Sequence, residues 1–446
     1  MRLLRTGEKE GKAFLEALKR RGDIDARRVE TEVGAILEAV RQRGDLALVD
    51  YCRRFDGWEC KPEQLQVPME EVEKACQRVS VELVNALQVA ADRIRRFHQR
   101  QLENSWFVSE EQGVFLGQKV TPLEQVGLYV PGGKAAYPST VLMTAIPAQV
   151  AGVSESVLCC PAPGGEISPV VLAAARIAGV KRIFRVGGAQ AIAALAYGTR
   201  TIPRVDKIVG PGNLYVAVAK KMVYGEVGID SVAGPSEVLV VADESASPAA
   251  VAADLLAQAE HDEMALPLLI TLSPDLGEKV RVEVERQLAG LSRQAVARRA
   301  WETRGAILVA ATREEAVALV NEIAPEHLEL AVTRAEDLLG VIRNAGAIFL
   351  GHWTPEALGD YAAGPNHVLP TGGTARFASP LGVYDFLKRS SILRYSAEAL
   401  GTISGIVRQL AQAEGLEAHG RALEIRERGN SSASGIGGTA AMEDAP

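Results

Sequence analysis

Gln258 and His261 stand three residues apart in the segment DLLAQAEHDEM, and on an α-helix that spacing brings two side chains to one face. Pro248 opens the run, and Val251, Leu255 and Leu256 supply an apolar opposite side, so a helix is expected there. Alone, a Gln-x-x-His pair is equally compatible with two solvated side chains. Its weight comes from a chain of only 6 histidines that holds three further groups of matching chemistry. These are the Glu326-His327 dipeptide after Pro325, Asp360 in GDYAAGPNH, and His419 near the C-terminus. Imidazole and carboxylate are common ligands of first-row cations, whereas a glutamine amide is a feeble, neutral one. A shell of Gln258, His261, Asp360 and His419 would carry little charge and leave room for a chelating substrate. Glu326 and His327 fall at a strand start set by proline, a position suited to general base work, since imidazole accepts a proton near neutrality. The reading is a mononuclear metal site beside an acid/base pair; an ordinary helical histidine among unrelated polar residues is the alternative at this level. His98 and His352 read as structural, and His367 in GPNHVLPTGG is unassigned.

Three glycine-rich turns end expected strands: Pro131-Gly132-Gly133, Gly187-Gly188 and Gly210-Pro211-Gly212. In doubly wound sheets ligands bind at that edge, and glycine lets backbone N–H groups approach a phosphate. None of the three is a complete GxGxxG, since GPGNLY has Tyr215 at the third position, so three plain tight turns fit as well. Tyr129, Gln190 and Asn213 lie close by in sequence and could hold ribose or nicotinamide groups.

Bulk properties exclude several classes. A formal charge of −7 gives no general attraction for nucleic acid or anionic membrane. The basic cluster at Arg93–Arg100 is surrounded by acidic residues and reads as a solvated helix face. Charges recur through MRLLRTGEKEGKAFLEALKRR, so no signal peptide is expected, and no apolar run is long enough for a bilayer span. The expected compartment is the cytoplasm. Cysteines at 52, 60, 76, 159 and 160 form no CxxC pair and are odd in number, which suggests neither a disulfide framework nor a thiolate zinc site. Cys159-Cys160 closes the apolar run SVLCC and reads as two small buried hydrophobes.

These residues need a scaffold. Up to about Asn104 the pattern is helical, with Leu83, Leu87, Ala90, Ile94 and Phe97 on one face. From VGLYV onward four strand–turn–helix units follow one another, and after Gly234-Pro235 the alternation resumes from SEVLVVAD to GAIFLG. That succession argues for an α/β fold with parallel sheets. The expected organisation is one α/β domain of residues 1–125 and 236–381, interrupted by a second of 126–235. A helical extension at 382–428 has too few apolar residues for its own core and must pack on the remainder or on a second subunit. A disordered tail is expected at 429–446.

With these residues laid out, the sequence resembles the histidinol dehydrogenase family. The resemblance rests on VGLYVPGG, STVLMTAIPAQVAG, VGGAQAIAALAYGT, DKIVGPGN, AGPSEVLV, LLAQAEHD, APEHLEL, GDYAAGPNHVLPT and LKRSSI, with EGLEAHGRALEIR near the end. It implies two incomplete Rossmann-like parallel-sheet domains with a helical N-terminal segment and a C-terminal helical extension. It also implies oxidation of L-histidinol through L-histidinaldehyde to L-histidine, consuming two NAD and using zinc, one ion per subunit. By position, zinc would fall to Gln258, His261, Asp360 and His419, and acid/base work to Glu326 and His327. NAD would contact Tyr129, Gln190 and Asn213. Substrate would contact Ser236, His327, Glu414 and the zinc ligands. The resemblance further implies a homodimer in which the extension carries Glu414 and His419 to the neighbouring site. Two rival readings are a cysteine-dependent aldehyde dehydrogenase using Cys159 or Cys160, and a non-catalytic NAD-binding protein.

Overall fold

A computed structural model of the protein describes residues 2–21, 27–132 and 136–433. Gly133 of the first glycine turn and residues 434–446 of the expected tail lie outside the described residues. The strands are β1 (Arg2–Arg5), β2 (Trp106–Val108), β3 (Val114–Pro122), β4 (Gln125–Tyr129), β5 (Glu155–Cys159), β6 (Arg182–Phe184), β7 (Lys207–Val209), β8 (Gly228–Ile229), β9 (Glu237–Ala242), β10 (Leu266–Thr271), β11 (Ala306–Val309), β12 (His327–Ala331), β13 (Ala347–Leu350) and β14 (Leu387–Tyr395). The chain forms two compact units, one of Met1–Leu102 with Pro122–Phe386, the other of Glu103–Thr121 with Leu387–Pro446.

The first unit contains two parallel sheets, with strand orders β1-β11-β10-β9-β12-β13 and β6-β5-β4-β7-β8. Every residue of β9, β10, β11 and β12 is buried, as parallel strands covered by helices on both faces require. The sequence supplies this with unbroken runs such as VLVVA and LLIT rather than alternating ones. Side-chain caps start the flanking helices: Ser247 accepts from the Ala250 N–H, Ser273 from Leu276, and Thr312 from Glu315. The helix Val81–His98 buries Leu87, Ala90 and Ile94 of the expected face, while Leu83 and Phe97 at its ends are exposed.

The second unit holds the sheet β14-β3-β2 and two helices, Ala397–Ala413 and Glu417–Ala433. Short helical elements were expected beyond Leu381; instead LKRSSILRY is a nine-residue strand and both helices run to 17 residues. The last helix also continues past residue 428, into the stretch expected to be disordered. Among the described residues no helix is long and apolar enough to cross a membrane.

Candidate active site

His327 opens β12 and Glu237 opens β9, so both lie on the edge where the strands of the larger sheet begin. Because β9 and β10 are parallel, the helix Pro248–Ala259 between them must run back, bringing its C-terminal end to that same edge. Gln258 and His261 are thereby delivered beside the start of β12. The helix ends one residue after Gln258, and His261 lies in a final tight turn in which its N–H donates to the Gln258 carbonyl at 3.2 Å. Asp360 comes from the short helix Glu356–Tyr361. Across a cavity of about 1040 Å³ stands the Gly210-Pro211-Gly212 turn, which follows β7 of the smaller sheet. Ser236, Gln258, His261, Glu326, His327 and Asp360 all line this cavity, as do Asn213 and the unassigned His367.

The acid/base candidates are held by one main-chain segment. The Glu237 N–H donates to Glu326 Oε2 at 2.8 Å, and His327 Nδ1 lies 3.0 Å from the Glu237 carbonyl. That contact makes Nδ1 the protonated nitrogen and leaves Nε2 as the acceptor. Nε2 is buried, finds no hydrogen-bond partner among the described residues, and stands 3.8 Å from Asp360 Oδ1. Buried polar atoms rarely go unpaired, and where they do the partner is commonly a ligand, ion or water. Burial lowers the His327 pKa to about 3, outweighing the Glu237 carbonyl, and raises that of Glu326 well above the ordinary carboxylate range.

His261, Glu356 and Asp360 each place one potential ligand atom within 4.8 Å of the others. The Gln258 amide is satisfied with its nitrogen donating to the Glu237 carbonyl and to Glu356 Oε1, each at 3.1 Å, which leaves its oxygen as the donor available to a cation. Glu356 was absent from the sequence-derived set. It precedes Asp360 by four residues, the same one-turn logic that singled out Gln258 and His261. Carboxyl groups crowd this corner. Burial raises Asp360 to about 6 and Glu356 well above its usual value, and burial with the neighbouring Asp254 raises Glu329 to about 9. Like charges this close cannot all ionise without a counter-charge, which a divalent cation supplies. The donor set fits such an ion. His261 is exposed at the cavity mouth, yet the protein around it still holds its imidazole below the ordinary histidine range.

Two expected cofactor contacts sit deeper. Tyr129 is buried and its phenol accepts the Gly188 N–H at 3.0 Å, while Gln190 is buried within the helix Gly188–Tyr197; neither is among the residues lining the cavity. Asn213 does line it, and its side chain caps the helix Leu214–Val223. Cys159 and Cys160 are buried, and burial pushes the Cys160 thiol up to about 12 and Cys159 higher still. His98 is buried and His352 exposed. Glu414 caps the helix Ala397–Ala413 and His419 lies in the helix Glu417–Ala433, both in the second unit.

Fold and site together define an α/β protein with two parallel sheets in its first unit, where one strand edge brings a buried imidazole and carboxyl pair beside a cluster of potential cation ligands. Its kinship is equally clear, since the histidinol dehydrogenase family profile matches residues 19–427. A histidinol dehydrogenase of Geobacter metallireducens is 59% identical over 418 residues, covering 94% of this chain and 96% of that one. One from Aquifex aeolicus is 55% identical over 413 residues, covering 93% and 96%. The crystal structure of histidinol dehydrogenase from Elizabethkingia anophelis superposes with a TM-score of 0.86 at 39% identity, covering 90% of this chain and 93% of its own. The chain belongs to the histidinol dehydrogenase family.

Proposed function

We propose that this chain oxidises L-histidinol to L-histidine by way of L-histidinaldehyde, closing histidine biosynthesis, with NAD as electron acceptor and one zinc ion per subunit. The observation that carries this reading is the bare His327 Nε2, an acceptor buried in the cavity wall beside the His261, Glu356 and Asp360 donors. Gln258, His261 and Asp360 would hold the zinc, with His419 as fourth ligand and Glu356 beside them. Zinc held there would supply a Lewis-acid anchor that fixes the substrate, and NAD would supply the hydride acceptor for each half-reaction.

In the first oxidation His327 Nε2 takes the hydroxyl proton as the carbinol carbon loses hydride. Ionisation of Asp360 at 3.8 Å, or of Glu326 at 3.8 Å from Nδ1, would stabilise the imidazolium so formed. Burial makes that charge costly, which favours handing the proton on before the second turn. The aldehyde must then be hydrated. Glu326, whose burial raises its affinity for a proton, removes one from the incoming water, and His327 deprotonates the resulting gem-diol as its hydride departs. Ser236 and Glu414 orient the substrate, and Tyr129, Gln190 and Asn213 serve the NAD side. The second unit leaves Leu393, Ile406, Leu410 and Ile425 exposed. This supports a homodimer in which Glu414 and His419 come from the second copy.

The test is NADH formation with L-histidinol before chelation, after it, and after zinc is restored. Two NADH per histidine, lost and regained with the metal, are expected; turnover indifferent to chelation removes the metal from the reading. His327→Asn should slow both oxidations and Glu326→Gln chiefly the aldehyde step.

A further inference from the structure

Arg21, a residue of the N-terminal segment, grips both polypeptide stretches that present the acid/base pair. Its Nε donates to Glu237 Oε1 at 2.7 Å and its Nη2 to Glu237 Oε2 at 2.9 Å, a two-pronged ion pair in which each side chain is only 5% exposed. The same Nη2 donates to the Ile323 carbonyl at 2.6 Å, and Nη1 donates back to the Leu18 carbonyl at 3.2 Å. Glu237 is the residue whose N–H and carbonyl hold Glu326 and His327. Ile323 ends the helix that leads through Ala324, Pro325 and Glu326 into β12. Ala324 is one of two non-glycine residues with positive φ among the described residues, at 50°, a conformation costly for a side chain bearing a Cβ. The remaining bond to the Glu237 carboxylate comes from the Gly372 N–H, 3.2 Å from Oε1.

We infer that Arg21 is a positioning residue for the chemistry: with Glu237 it fixes the strained Ala324 turn against the start of β9, and so sets the separation of Glu326 and His327. The inference rests on the acid/base reading of those two residues. Arginine suits the task because its planar fork spans both carboxylate oxygens while a further N–H reaches the carbonyl; lysine offers a single point charge. Truncating the arginine leaves the buried Glu237 carboxylate with one N–H donor and frees the turn. Misplacement of a catalytic group by about 1 Å can cost on the order of a hundredfold in rate.

The experiment measures kcat and KM for L-histidinol in the zinc-loaded enzyme for R21A, R21K, E326Q and H327N, with thermal unfolding of each. R21A is expected to lose about ten- to a hundredfold in kcat with KM nearly unchanged, and added guanidinium ion is expected to restore part of it. R21K is expected to fold and to fall between R21A and the unaltered enzyme, which keeps the test open should R21A fail to fold. A folded R21A or R21K with unaltered kcat overturns the inference. So does a loss spread equally over kcat and KM that guanidinium leaves untouched, since that marks a merely structural pair. If E326Q and H327N keep full activity, the acid/base reading itself has failed and this inference falls with it. Impaired E326Q and H327N alongside a fully active R21K would leave the reading standing and remove the positioning role alone.

Discussion

The Asn366 amide nitrogen lies 3.4 Å from His98 Nε2 and donates to the Met143 carbonyl at 2.7 Å, tying the helix Val81–His98 to the helix Pro138–Ala151. The other imidazole nitrogen, Nδ1, is 2.8 Å from the Ile94 carbonyl. Asn366 Oδ1 in turn accepts the Val368 N–H at 2.9 Å. The next residue, His367, holds the Asp360 carbonyl from Nδ1 at 2.8 Å and lines the cavity. The GPNH stretch therefore has two tasks, with Asn366 locking helices together and His367 facing the site.

A pH dependence follows from His98. Burial lowers its pKa below the ordinary value, outweighing the Ile94 and Leu381 backbone groups that favour the charged form. Unfolding restores the ordinary value near 6.5, so below that pH the unfolded chain binds the proton more readily than the folded one. The stabilisation is complete above about pH 6.5 and is lost as pH falls toward the folded pKa, at no more than about 1.4 kcal/mol per pH unit. His327 and His367, lowered to about 3 and about 4, contribute in the same direction, while the raised carboxyls oppose them. Denaturant midpoints for the unaltered chain and His98→Gln between pH 7 and pH 5 isolate the His98 share. The variant should be less stable at pH 7 and less sensitive to acid; parallel curves would show that His98 does not titrate on unfolding.

The Gly210 turn depends on a buried ion pair. Lys220 Nζ donates to the Gly210 carbonyl at 2.9 Å and to the Asp230 carboxylate, and Asp230 Oδ2 accepts the Gly210 N–H at 2.7 Å. Gly210 has φ of 115°, and a Cβ there would lie 2.1 Å from the Tyr129 carbonyl oxygen, so no other residue fits. Lys220→Met should destabilise the chain by about 3–5 kcal/mol, because it strands a buried carboxylate. It should also raise KM for NAD more than KM for histidinol. A variant with an unaltered unfolding midpoint would contradict the pair's importance.

What could be read from the sequence depended on how far each feature repeats. The buried strands and their helices announce themselves through long apolar runs, and Gln258 with His261 through a one-turn spacing at the end of a twelve-residue helix, with His261 in the turn just beyond it. Glu356 and Asp360 have the same kind of spacing but share a helix of only six residues, too short to show a period. Strand β14 lies at the edge of its sheet with no fully buried residue, so LKRSSILRY carries no apolar alternation to reveal it. Tyr129 and Gln190 stand beside glycine turns, which made them candidates for ligand contacts; the depth at which both are packed is set by tertiary structure and leaves no mark in the local pattern. Arg21 was invisible because its partners, Glu237 and Ile323, are more than two hundred residues away.

Metal retention should depend on Glu356. With its carboxylate in the donor cluster and in contact with the Gln258 amide, Glu356→Gln removes one charge from the shell and changes the hydrogen bond that orients its neighbour. Zinc content after dialysis against a weak chelator should fall about ten- to a hundredfold more readily than in the unaltered chain. Glu314→Gln, on the exposed start of a helix remote from the cavity lining, serves as a control and should retain zinc normally. Equal retention in both variants would remove Glu356 from the cation's surroundings.

A thiol route for the aldehyde step makes an opposite forecast. A cysteine nucleophile acts as its thiolate, and reactive cysteines sit exposed beside positive charge. Cys159 and Cys160 have neither property: both are buried, and burial drives both thiols further from ionisation. The double replacement Cys159→Ala/Cys160→Ala removes two sulfur atoms from packed surroundings and should cost about 1–3 kcal/mol of stability. Oxidation of L-histidinaldehyde should continue at a rate within about twofold of the unaltered enzyme, since no bond to sulfur is formed. Loss of that half-reaction in a folded double variant, with histidinol oxidation to the aldehyde intact, would instead establish a thiohemiacetal intermediate and displace Glu326 from its assigned task.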